Sequence, residues 1–333
     1  MSTALLFVAS VILIVAASEL FTNAVEWAGF RMRLASGATG SLLAAIGTAL
    51  PEFVVPVVAL AGHAPNANAV AMGAVLGAPF LLLTVGVALT GLAVLTRRGQ
   101  RRLRLQAAQA RRDLGAFSIA FPAVLLCVLL PSPARIVVGI LLLGLYMTYV
   151  AATLRGGSPA EDMPEPLHMV RWRPGQPHLG LIAVQLAVAV ALLVVGSQLF
   201  VTALNNAASA LRVPALTLAI VVVPLATELP ETMNSVLWVR SRDDKLAFGN
   251  VAGSATFQAC VLGFIGVVFT SWSIGSAGLI GALITLGTAL YLFALLFRGN
   301  AHGSLLLLAG LPWLGYVIAQ VITGGHLGTA PPT

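Results

Sequence analysis

Two glutamates sit inside long apolar runs with matching neighbours. Glu52 closes the stretch Gly47-Thr48-Ala49-Leu50-Pro51-Glu52, and Glu231 closes Ala226-Thr227-Glu228-Leu229-Pro230-Glu231. A carboxylate in hydrocarbon is costly unless it faces a partner, an ion or water, so each is a functional-site candidate. No lysine or arginine lies within either run to pair with it. Proline breaks the local helix and frees backbone carbonyls, which at membrane depth can coordinate cations. Two carboxylates neutralise one divalent ion, and calcium favours carboxylate, carbonyl and hydroxyl oxygens. The bland alternative is a pair of protonated structural glutamates. The repetition of the device favours one cation site built from two halves.

Glu228 lies three residues before Glu231, on nearly the same helix face. Two such neighbours are hard to ionise together without a cation between them, which makes one a candidate proton carrier. The competing reading is a wall residue that reaches water. Glu19 reads as deep in the first helix, with Gln198 as its counterpart; it either lines a pathway or bonds a broken helix. Glu26 and Arg33 read as interfacial. Asn66, Asn68, Asn205 and Asn206 read as caps or mouth residues.

Such residues need a scaffold, and composition supplies its class. Of 333 residues, 59% are hydrophobic and 9% charged, with mean hydropathy +0.97. This is the composition of a polytopic helical membrane protein. Ten spans are expected, at 3–30, 37–61, 67–95, 115–131, 134–154, 179–211, 214–239, 245–270, 274–297 and 303–323, with breaks at Pro51 and Pro230. The first is expected to be retained, because Met1–Leu6 lacks a basic leader region. Cys127 and Cys260 lie in apolar runs and read as core residues without a disulfide. The scattered histidines have no metal-ligand spacing.

The net charge of +7 comes from arginines between apolar runs, so topology and not nucleic acid explains it. Alternate connections hold nearly all of them, including Arg97–Arg112, Arg171, Arg173, Arg240, Arg242 and Arg298. That side is expected to be cytoplasmic, with both termini outside, in a multi-pass cell (inner) membrane protein. Arg97–Arg112 reads as a topology-fixing loop, with an amphipathic helix on anionic lipid as the alternative. The linker 155–178 reads as a flexible cytoplasmic connector between a first repeat, 1–154, and a second, 179–333.

A shift of 179 positions lays residues 18–52 over 197–231 without a gap. A small gap then brings Gly73 and Gly77 onto Gly249 and Gly253, spacings that permit close helix packing against the broken helices. Five helices per half is odd, so the second half would enter the membrane from the other side. The expected fold is all-α, ten transmembrane helices in two inverted five-helix repeats.

At these residues the chain resembles the calcium/cation antiporter superfamily, which includes sodium/calcium and cation/proton exchangers. The family carries a Gly-Thr-Ser-Leu-Pro-Glu-like motif on one helix of each repeat. A Gly-Asn-x-x-Gly-Ser-x-x-x-Asn/Asp-like motif follows on the next. By resemblance, Glu52 and Glu231 match the paired cation-binding glutamates, and Thr48 and Thr227 the paired threonines. Gly249-Asn250-Val251-Ala252-Gly253-Ser254 fits the second motif, with Ser254 as the serine ligand and Gln258 where an Asn or Asp is usual. The first repeat departs: Ala49, Ala74, Ala78 and Leu82 stand where oxygen ligands are usual.

The resemblance implies a secondary-active antiporter exchanging calcium or another divalent cation against protons or sodium by alternating access. Its metal-binding set would be Glu52, Glu231, Thr48, Thr227, Glu228, Ser254 and Gln258. The lost oxygens of the first repeat keep a second reading open, a non-exchanging uniporter or cation-binding protein of the same fold. No nucleophile–base set or cofactor motif indicates an enzyme. The expected partners are the lipid bilayer and inorganic cations.

Overall fold

The computed structural model describes residues 2–31, 49–155, 164–172 and 175–324. Helix α1 is Thr3–Arg31, α2 Leu50–Ala61, α3 Ala67–Thr96, α4 Ala107–Leu129 and α5 Ser132–Arg155. Then come α6 Leu179–Leu211, α7 Ala215–Thr227, α8 Leu229–Arg240, α9 Asp244–Phe269, α10 Gly275–Leu296 and α11 Gly303–Ile322. Among the described residues eight helices are long and apolar enough to cross a membrane, and α7 with α8 make a ninth, bent by 46°. The first part of the expected span 37–61 lies outside the described residues.

Burial ranks these helices. In the most apolar window of α3 and α9, 78% and 83% of residues are buried, against 22% in α1, α5 and α11. So α3 and α9 form the centre, and the outer helices turn leucine and valine side chains outward, where a bilayer would be the solvent.

The local backbone repeats at the sequence shifts seen above. Ala49 before α2 has φ −79° and ψ 3°, and Glu228 before α8 has φ −87° and ψ −4°. Pro51 and Pro230 then occupy the first helical turn, where a missing N–H leaves no helix bond unmade. Both α3 and α9 contain one π-helical turn, at Leu82–Gly86 and Gln258–Leu262, 176 residues apart like their glycines. A π turn inserts one residue into the ladder and re-aims the side chains beside it.

The glycines of α3 serve close packing. A Cβ on Gly73 would stand 2.3 Å from the Ala219 Cβ, and one on Gly77 2.3 Å from the Ile220 carbonyl oxygen. Thus α3 meets the backbone of α7. Among the described residues Gly249 and Gly253 face instead Gln109 of α4 and the Tyr149 hydroxyl of α5.

Two segments depart from the sequence reading. The basic stretch is not a plain loop: Arg102–Arg104 (β1) pairs antiparallel with Asn300–His302 (β2), and α4 begins at Ala107. This pairing joins residues about 200 positions apart, beyond any local pattern. The described part of the linker is also docked rather than flexible. The Glu165 carbonyl accepts from Asn23 Nδ2 (3.1 Å) and Trp27 Nε1 (2.7 Å), while the His168 N–H donates to Asn23 Oδ1 (3.0 Å). Gln185 completes the knot. It takes the Met169 N–H (2.9 Å) and donates to the Leu20 carbonyl (2.9 Å) and Asn23 Oδ1 (3.0 Å). Buried amides in an α1–α6 interface are stable only when so paired, and their partners are long-range backbone groups.

Candidate cation site

Glu52 stands in the first turn of α2 and Glu231 in the first turn of α8, where unpaired helix N–H groups favour negative charge. Glu228 occupies the break between α7 and α8. All three are at most 1% exposed. One carboxylate oxygen from each lies within 4.8 Å of the others. The structure therefore gathers three carboxyls, not two, at the meeting of two broken helices. Three negative charges at this spacing in apolar surroundings repel strongly, so protons or a cation must neutralise most of them.

The helix α9 closes one side. Gln258, at the start of its π turn, donates from Nε2 to Glu228 Oε1 at 2.8 Å. One turn earlier, Ser254 is fully buried. Asn250 donates to the Glu231 backbone carbonyl (3.1 Å) and to Ser235 Oγ (3.3 Å), and Ser235 donates to the same carbonyl (2.9 Å). Asn250 and Ser235 thus tie α9 to the first turn of α8 and hold Glu231 in place. The motif contains Asn250 without implying this role; an asparagine one turn before Ser254 is the sequence signal for it.

Thr227 is buried, and its hydroxyl donates to the Val223 carbonyl at 3.3 Å. Thr48 lies outside the described residues. Among the described residues no N–H or hydroxyl donor reaches either carboxylate oxygen of Glu52 or Oε2 of Glu228, and the Ser254 hydroxyl and Gln258 Oε1 have no hydrogen-bond partner. Buried polar atoms of this kind call for an explanation, and an oxygen-seeking cation is one.

On the α3 side Leu82, at the matching π turn, is buried and brings no oxygen. Pro56 stands four residues after Glu52, where Ser235 stands after Glu231. It has no N–H to give the Glu52 carbonyl, which frees that oxygen from the helix ladder. Glu19 and Gln198 are exposed and outside the carboxyl cluster. Asn66 donates to Asn205 Oδ1 (2.9 Å) and Asn205 to the Pro65 carbonyl (2.9 Å), so these asparagines tie helix ends together.

A family model described as sodium/calcium exchanger protein matches residues 2–155 and 181–322. Among solved structures the fold is similar to an H+/Ca2+ exchanger, CAX, with TM-score 0.78 at 18% identity, covering 97% of this chain and 82% of that one. It is also similar to the sodium-calcium exchanger NCX_Mj, with TM-score 0.62 at 20% identity, covering 96% and 97%. No curated protein sequence matches. With the family model spanning both halves of the chain, and a helical exchanger fold around buried carboxyls, the protein belongs to the sodium/calcium exchanger family of membrane cation exchangers.

Proposed function

We propose that this protein is a secondary antiporter that exchanges a divalent cation, calcium foremost, for protons across a cell membrane. The observation that carries the reading is the cluster of Glu52, Glu228 and Glu231 at two helix breaks. Hard divalent cations need several oxygens, and this cluster with Ser254, Gln258 and Thr227 would supply carboxylate, hydroxyl, amide and carbonyl donors, with Thr48 proposed to join them on the sequence motif alone. The H+/Ca2+ activity named for CAX and the sodium-calcium activity named for NCX_Mj bracket the choice of coupling ion.

Charge favours protons. Three carboxylates and one divalent ion leave one negative charge, which one proton neutralises; without the ion, three protons are needed. A site that crosses the membrane neutral would then release one divalent ion for two protons. Sodium coupling needs further oxygen-lined positions, and Ala49, Ala74, Ala78 and Leu82 provide none. Glu228 is the residue proposed to carry the extra proton, through a carboxyl poised by Gln258.

The proposed architecture is ten spans in two inverted five-helix halves, 1–154 and 179–333, joined by a linker at 155–178. The matching backbone angles at Ala49 and Glu228 and the matching π turns support it. Arg97–Arg112 would lie in the cytoplasm and both termini outside, as the arginine distribution indicates. The pair α1 and α6, laced together by Asn23 and Gln185, would move as one body past α2, α3, α7, α8 and α9.

The test is counterflux in sealed proteoliposomes. Calcium uptake driven by a proton gradient without sodium is expected. Strong uptake under a sodium gradient at clamped pH, with none under a proton gradient, would overturn the proton assignment. Downhill calcium flux that needs no counter-ion would point to the uniporter instead.

A further inference from the structure

The end of α3 and the end of α8 meet at an open basic cleft, a chamber lined by none of the clustered carboxyls. Two cavities, of about 660 and 330 Å³, share Thr96, Arg97 and Arg98 as walls. Arg101 and Arg104 line the larger, and Arg240 and Arg242 the smaller. These arginines come from segments roughly 140 residues apart in sequence. Topology requires basic residues on one side of a membrane, but it does not require them to converge on a cavity.

The walls are built. Arg97 is the scaffold: its guanidinium bonds the Asp244 carboxylate, the carbonyls of Gln100 (2.9 Å) and Arg102 (2.6 Å), and the Val239 carbonyl (3.3 Å) at the end of α8. Asp244 also accepts the Arg104 N–H at 2.8 Å. Leu103 is fully buried, β1 pairs with β2, and the Gly303 N–H bonds the Arg101 carbonyl (3.0 Å). Gly99 turns the chain at φ +90°, and Arg242 donates to the Arg98 carbonyl (3.3 Å). The backbone that presents these side chains is thus held from several directions.

Their charges are not compensated. Asp244 is engaged with Arg97, and among the described residues Arg98, Arg101, Arg104, Arg240 and Arg242 form no ion pair. Several exposed guanidinium groups around one concavity focus positive potential there. Guanidinium forks match phosphate oxygens bidentately, which suits them to phosphate recognition.

We propose that this chamber binds a phosphate-bearing anion, the headgroup of an anionic phospholipid or a free polyphosphate. The anion would clamp the α3–α4 connection to the end of α8, the helix whose first turn carries Glu231. Binding needs no transport, so the proposal stands or falls apart from the exchange reaction.

The experiment uses the full chain in phosphatidylcholine nanodiscs, titrated calorimetrically with inorganic pyrophosphate. Saturable binding is expected. The triple variant Arg98→Gln, Arg101→Gln, Arg240→Gln should weaken it by about tenfold or more, as loss of charge-assisted bonds implies, while the triple lysine variant, which keeps the charge and loses the fork, should bind more tightly than the glutamine variant and more weakly than the wild type. Nanodiscs containing phosphatidylglycerol separate the sources. Loss of pyrophosphate binding there shows that a lipid headgroup fills the chamber, and unchanged binding assigns it to a free polyphosphate. Absence of saturable binding by the wild-type protein in phosphatidylcholine, or equal affinity in the folded glutamine variant, would overturn the proposal. Should the triple variant not fold, Arg240→Gln alone decides the second point.

Discussion

The two halves of the carboxyl site share a backbone and differ in chemistry. Ala49 and Glu228 hold nearly the same φ and ψ at the helix breaks, yet one side chain is a methyl and the other a carboxyl. Leu82 and Gln258 open the two π turns, and only the second brings an amide, which it donates to Glu228. Pro56 leaves the Glu52 carbonyl without its helix donor, while Ser235 and Asn250 both bond the Glu231 carbonyl. The glycines diverge too, since α3 presses on the backbone of α7 and α9 faces polar side chains of α4 and α5. The lesson is that duplicated geometry does not require duplicated ligands. Among the described residues one half brings Glu52 and a close-packed glycine surface, and the other brings Glu228, Glu231, Ser254 and Gln258.

The halves agree in their glutamates. Glu52→Gln and Glu231→Gln should each reduce calcium flux in proteoliposomes to background while the protein stays folded and inserted. Wild-type flux in the double variant would remove both residues from the site. This is the largest effect expected, because each change deletes a negative charge from the proposed ligand set.

The next effect should separate the halves. Gln258→Leu removes the hydrogen bond to Glu228 and is expected to lower flux by about tenfold, whereas Leu82→Ala, which removes no oxygen, should stay within about twofold. Equal losses would mean that the π turns act through shape alone.

Glu228→Gln sharpens the same contrast through pH. Under the proposed exchange protons would compete with calcium, so apparent calcium affinity of the wild type should rise with pH. With Glu228 neutral one titrating carboxyl is lost, and the slope should flatten. A pH profile unchanged from wild type would place Glu228 outside the coupling step.

The packing difference predicts a smaller, structural effect. Gly77→Ala puts a methyl against the Ile220 carbonyl and should destabilise by about 1–3 kcal/mol in thermal melts of the purified protein. Among the described residues Gly253→Ala meets the Tyr149 hydroxyl, at 3.5 Å, and should change stability by less than about 0.5 kcal/mol. Similar losses at both positions would show that the α9 glycine has a backbone partner like that of α3.

Much of this molecule was legible in the chain alone. Apolar run length marks helices because a membrane forces backbone groups to bond within the segment. Carboxylates in such runs are conspicuous because hydrocarbon penalises them. Hence Glu52, Glu228 and Glu231 stood out, and a fixed shift of 179 related their neighbourhoods. Which groups meet is set by the three-dimensional packing. That Gln258 bonds Glu228, that Asn250 and Ser235 anchor Glu231, and that Gln185 and Asn23 fasten the linker to α1 and α6 depend on helix rotation and crossing. The pairing of β1 with β2 and the convergence of Arg98 with Arg240 likewise join distant segments. Local sequence sets the cost of burying each polar group, whereas long-range packing alone determines which partner offsets it.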